Sequence, residues 1–189
     1  MSVRQLAMIA ALLFSGVANA AEVSDEQASQ LFELLGLKEA VSIYSVDSIA
    51  AQPLFQKLAS DQRGCVAGLL EENLGSNTRA RLKTIFGNSA KAGSWIAFSK
   101  TPAGQRYMQY VAANATAVFL DRPKPDRSEL LLGMKPDQAV QTLEFMSSPA
   151  GMVFSAAPPL APPAMTKEQQ ASLGDELSHR CKLSERDFS

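Results

Sequence analysis

Two short stretches of this chain nearly repeat each other, and both force a helix to stop. Residues 98–104 and 145–151 each fit Phe-x-x-Ser/Thr-Pro-Ala-Gly, at a spacing of 47 residues. A residue before proline is pushed out of the α region, so the incoming helix must end or kink there. The hydroxyl of Thr101 or Ser148 can cap a new helix. Proline at the first helical position loses nothing, because its missing N–H would be unpaired there in any case. Each motif therefore predicts a helix that ends and restarts at once. Phe98, Thr101, Pro102 and Gly104, with Phe145, Ser148, Pro149 and Gly151, are the positions that build it. None of them is a nucleophile in a catalytic setting, an acid, a base or a metal ligand.

The remaining segments read as helix as well. Ser24 to Gln27 is a capping box followed by Ala28, Leu31, Phe32 and Leu35 on one face, with Gly36 as the stop. Lys38 to about Ala50 turns Val41, Tyr44 and Ile49 inward. Pro53 opens a helix carrying Leu54, Phe55, Leu58, Cys65, Val66, Leu69 and Leu70 that stops near Gly75. Asn77 caps the next one, with Leu82, Ile85 and Phe86 before Gly87. Ala90 to Ser99 leads Trp95, Ile96 and Phe98 into the first motif, and Tyr107, Val111, Ala115 and Val118 follow at helical spacing. Residues 121–127 hold two prolines among charges and read as an extended loop. Pro136 opens a helix with Val140 and Leu143 inward, and Thr166 to Gln169 is a second capping box. No window alternates apolar and polar residues long enough to argue a strand. The expected fold is all-α: one helical bundle with two Pro-broken junctions and one long-range disulfide.

The first twenty residues have the pattern of an export signal: Arg4, an apolar run from Leu6 to Val17, and the small-x-small site Ala18-Asn19-Ala20. The apolar run is too short to cross a bilayer, which takes about 20 residues. The expected organisation is a signal over 1–20, a helical domain over 21–157, a Pro-rich spacer over 158–165 and a last helix over 166–189. Without Arg4, the 17 basic and 19 acidic residues leave a mildly negative chain with no long basic block. That gives nucleic acid little to bind. Cys65 and Cys181 are an even pair in an exported chain, and a bridge between them is expected.

Residue types that carry chemistry are scarce. His179 is the only histidine and sits among bases near a helix end, where a cation suits the helix dipole. No nucleophile elbow, phosphate loop or metal-ligand set accompanies it, so no catalytic residue, metal or cofactor is assigned. Glu71-Glu72 and Asp175-Glu176 read as solvated pairs, and Gly64 with Gly68 as a site of close helix packing. Trp95, Tyr107 and Tyr110 read as core, with a ligand groove as the alternative. Arg122, Lys124 and Arg127 in the rigid loop are the candidate contacts for a partner.

An export signal, the Leu-rich stretch from Leu31 to Leu37, and the Phe98-Thr101-Pro102-Gly104 pattern together resemble a bacterial family. Its members are small exported all-helical domains of unknown function, common in Gram-negative species. The resemblance spans roughly residues 24–157 and implies a helical fold and a periplasmic address, with no catalytic residue. The resulting expectation is a non-catalytic periplasmic protein that binds a protein partner, as an inhibitor, immunity protein or assembly factor. A carrier of a lipid or other apolar ligand is the first alternative, and an unrecognised hydrolase the second.

Overall fold

A 27-residue helix runs through the centre of the computed structural model, which describes residues 21–155, 160, 162 and 165–183. The helices are α1 (Asp25–Leu34), α2 (Leu37–Ala51), α3 (Pro53–Gln56), α4 (Ser60–Phe86), α5 (Ser89–Ser99), α6 (Pro102–Phe119), α7 (Arg127–Leu131), α8 (Pro136–Ser147) and α9 (Lys167–Arg180). A 3₁₀ turn over Gly151–Phe154 follows α8. Among the described residues there is no strand. The segment expected to be a signal, 1–20, lies outside the described residues, as does most of the Pro-rich spacer.

Local chemistry starts most of these helices where the residues dictate. Ser24 and Gln27 exchange both bonds of a capping box, and Thr166 with Gln169 repeats it at α9. Asn88 and Thr101 accept from the backbone of the third residue beyond them. Gly36 closes α1 in the left-handed region, with φ of 68°, and also touches α6. A β-carbon there would lie 2.9 Å from that of Ala112, so only glycine meets both demands.

Helix α4 is the axis on which the rest is assembled. It packs against α1 and α2 on one side, α5 near its end, and α9. Helix α6 joins α2, α5 and α8. Two apolar clusters result. The larger centres on Leu31, Leu35, Leu82, Phe86, Trp95 and Phe119. The smaller joins Ile49, Leu58, Val66 and Leu69 to Leu173, Cys181 and Leu183 from the C-terminal region. Cys65 and Cys181 are bridged, with their Cα atoms 5.6 Å apart.

Three expectations are corrected. First, the helix begun at Pro53 breaks after one turn, and α4 then runs without interruption through Gly75 and Asn77. Glycine costs a helix about 1 kcal/mol relative to alanine. Here Gly75 is buried beneath Phe32 and Arg79, and packing on both sides of α4 outweighs that cost. Asn77, with no helix to cap, donates to Asn73 and accepts from Gln169 of α9. Second, no atom lies within 4 Å of where a β-carbon would stand at Gly64 or Gly68, so neither is a close-packing site. Third, Val140 and Leu143 point outward, at 54% and 51% exposure, while Thr142 is fully buried. Phe145 sets that phase by docking in the core, and a residue two positions earlier on a helix lies about 200° away.

Candidate functional site

The two motifs meet face to face. The Phe98 and Phe145 rings stack at 4.0 Å between centroids and 12° between planes. In each copy the hydroxyl does two jobs. Thr101 Oγ1 accepts from the Gly104 N–H and donates to the Phe98 carbonyl, both at 2.9 Å. Ser148 Oγ accepts from Gly151 N–H at 3.0 Å and donates to the Phe145 carbonyl at 2.7 Å. The turn is so tight that a β-carbon at Gly104 would overlap the Phe98 carbonyl, and one at Gly151 the Phe145 carbonyl. Glycine is required at both positions by that close approach.

The copies diverge after the proline. Pro102 begins an 18-residue α-helix, whereas Pro149 leads into the four-residue 3₁₀ turn, so only the first copy restarts an α-helix. Trp95 lies between them. Its indole N–H donates to the Ala150 carbonyl at 2.7 Å in a fully buried bond. Its ring also meets Phe86, Phe145 and Phe154 edge-on at 5.2–5.7 Å. Trp95 and Tyr107 are therefore core residues, and this junction is a structural keystone. Tyr110 differs. It is half-buried and borders a shallow cleft of about 190 Å³ with Arg106, Gln109, Pro125 and Glu129.

A larger cleft of about 530 Å³ opens between α1, α2 and α4. Phe32 and Val41 form its apolar floor, with Lys38, Glu71, Glu72 and Arg79 around them. Glu71 and Glu72 thus face a concavity and do not simply meet solvent. Glu72 is gripped by both Arg180 guanidinium nitrogens, at 2.8 and 3.1 Å. That pairing holds the Glu72 carboxyl below its ordinary value and raises Arg180 further. Glu71 accepts a hydrogen bond from Ser42 at 3.1 Å. The Arg79 guanidinium lies over the Phe32 ring, 5.3 Å from its centroid. Sequence reasoning missed this cleft because its walls come from three helices. The one available signal was the run Gly68, Glu72, Gly75 and Arg79 on one face of α4.

The other predicted residues are scattered. Arg122 is exposed and 3.7 Å from Asp47, tying the loop to α2. Lys124 is exposed, and the side chain of Arg127 lies outside the described residues. His179 stands exposed in the last turn of α9. Among the described residues no group of three or more His, Cys, Asp or Glu is placed to hold a metal ion. Nor is any helix among them long and apolar enough to cross a membrane. Comparison with protein-family models, curated proteins and solved structures finds no match.

Proposed function

We propose that the protein is exported to the periplasm and acts there by binding another protein, without turnover. One observation carries this reading. Among the described residues, five of the seven exposed large hydrophobic side chains, Leu131, Leu132, Val140, Leu143 and Met152, fall in the stretch from α7 to the 3₁₀ turn. Exposing apolar side chains forgoes roughly 25 cal/mol for each Å² left in water. Their concentration in one stretch of the chain, directly after a charged loop, supports a docking face there. The loop supplies Arg122 and Lys124, and Arg127 opens α7, so the matching partner surface is apolar with acidic neighbours. The carrier alternative has less behind it, because the larger cleft is rimmed by charged side chains.

The test compares capture by the mature protein and by Val140→Asp/Leu143→Asp from periplasmic extract. Both substitutions are at exposed positions, so circular dichroism should be unchanged. A partner seen with the parent chain should be lost with the variant, and Lys124→Glu should slow its association. Equal capture by both proteins would overturn the docking face. Loss of a measured catalytic activity in folded His179→Ala would replace the binding reading with an enzymatic one.

A further inference from the structure

Helix α9 and the residues just after it close the smaller apolar cluster from outside, and they bring little apolar surface to it. Within α9 only Leu173 is buried, while Cys181 and Leu183 follow the helix. Met165 and Leu177 are half-buried against the same cluster. The polar ties are the part-buried amide bond from Gln169 to Asn77 and the exposed pair of Arg180 with Glu72. Exposed ion pairs add little.

Nor does α9 persist by itself. Isolated helices shorter than about 12–15 residues are marginal in water, and α9 has 14. Gly174 sits at its middle, and no atom lies within 4 Å of where a β-carbon there would stand. Packing therefore does not require glycine at that place, yet glycine weakens the helix relative to alanine. Beneath α9 lie Ile49 of α2, Leu58, and Val66 and Leu69 of α4, at 1–5% exposure. The aromatic cluster takes no buried residue from beyond Val153, so it does not depend on α9.

The bridge that retains α9 is the more open at its α4 end. Cys65 is half-buried, whereas Cys181 is 6% exposed. Gly64 and Gly68 are exposed, with no atom within 4 Å of a β-carbon built on either. Residues three apart on a helix are surface neighbours, so the flank of α4 beside Cys65 is bare. A thiolate can reach the Cys65 sulfur from that side without moving a side chain at 64 or 68.

We infer that the Cys65–Cys181 bridge is a redox latch: a protein dithiol of the Cys-x-x-Cys class reduces it in the folded state, α9 melts away, and the apolar seam of α2 and α4 opens. The donor thiolate attacks Cys65 Sγ, the Cys65–Cys181 bond breaks, and Cys181 leaves as a thiolate that takes up a proton. The donor's second thiol then attacks the mixed disulfide, and Cys65 leaves and is protonated in turn. Two electrons and two protons pass to the protein, and the donor departs as a disulfide. Reoxidation by a disulfide donor reverses each step and closes the seam. The latch is separate from the α7–α8 face and does not rest on partner docking there.

The probe is dithiothreitol, added to the mature protein in native buffer and in urea, with thiols trapped by iodoacetamide and counted by mass. Both cysteines should be alkylated in native buffer at a rate within about tenfold of the unfolded protein, whereas a bridge reached only by global unfolding would react at least about a thousandfold more slowly. Hydrogen exchange on the reduced protein should show α9 protection down at least about tenfold, with α5 and α6 within about twofold of the oxidised form. Fluorescence of anilinonaphthalene sulfonate should rise on reduction and fall again on reoxidation with oxidised glutathione. Cys65→Ser/Cys181→Ser should match the reduced parent and ignore the reagent. Val140→Asp/Leu143→Asp should respond as the parent does, which separates the latch from the docking face. Reduction that proceeds only in urea would overturn the inference. So would a reduced protein in which α9 keeps its protection, or one in which α5 and α6 lose theirs together with it.

Discussion

The two apolar clusters of this protein are held together by different means. The larger is an aromatic assembly in which Trp95, Phe98, Phe145 and Phe154 interlock and the caps satisfy the broken backbone. Its parts come from nearly every helix between α1 and the 3₁₀ turn, so each part is held by several others. The smaller is spread over distant segments, and α9 brings only Leu173 to it as a buried residue within the helix. Its polar ties are one part-buried amide bond, from Gln169 to Asn77, and the exposed Arg180–Glu72 pair, and exposed ion pairs contribute little. The disulfide makes up the difference. A helix with too little apolar surface to dock itself can be retained by a covalent link that restricts the unfolded chain.

The comparison breaks most readily at that link. Cys65→Ser/Cys181→Ser should lower stability by about 4–5 kcal/mol on the chain-entropy account of a loop this long. Urea denaturation measures the total, and hydrogen exchange locates it. Protection should vanish in α9 while α5 and α6 keep theirs. Uniform loss would show that both clusters open as one unit.

Next in size are the motif glycines. Gly104→Ala and Gly151→Ala each drive a methyl into a carbonyl of the same chain, which side-chain movement cannot relieve. About 3 kcal/mol or more is expected, above the usual range for overpacking. If Gly151→Ala proves mild while Gly104→Ala does not, the shorter second junction has room to open and the copies are not equivalent. A smaller loss, about 0.5–1.5 kcal/mol, should follow Trp95→Phe, because the Ala150 carbonyl loses its short buried bond and keeps only the 3.3 Å bond from the Val153 N–H. Thermal melting with near-ultraviolet dichroism would register it as a change confined to the aromatic cluster.

The smallest effect is acid sensitivity at the α9 seam. Arg180 holds the Glu72 carboxyl below its ordinary value. A depressed carboxylate gives its full contribution above the unfolded value of about 4, and loses it as the pH falls through the lowered folded value. The melting difference between the parent chain and Arg180→Ala should therefore be small at neutral pH and close further in acid. A gap that persists below about pH 2 would assign Arg180 a packing role in place of an electrostatic one.

Much of the architecture was legible from residues alone, because it rests on interactions within one turn of chain. Ser24, Thr101 and Thr166 accept from the third residue ahead whatever surrounds them. Proline breaks a helix by its own covalent shape. The all-α class and the Cys65–Cys181 bridge followed from period and count. What failed to read correctly were features whose outcome a second element decides. Gly75 looked like a stop and is a packing site for Phe32 and Arg79. Val140 and Leu143 looked like core and face outward, because Phe145 fixes the rotation of α8. The cleft was invisible because Phe32, Val41 and Arg79 belong to three helices.

By itself, then, the sequence determined where helices start, where they must break and which cysteines could join. Those outcomes depend on short-range sterics and hydrogen bonds carried by a few adjacent residues. Tertiary structure alone decided which face of α8 is buried, how far α4 runs and which charges find partners. Burial and ion pairing depend on what lies across the interface, and an isolated segment contains no information about its neighbour.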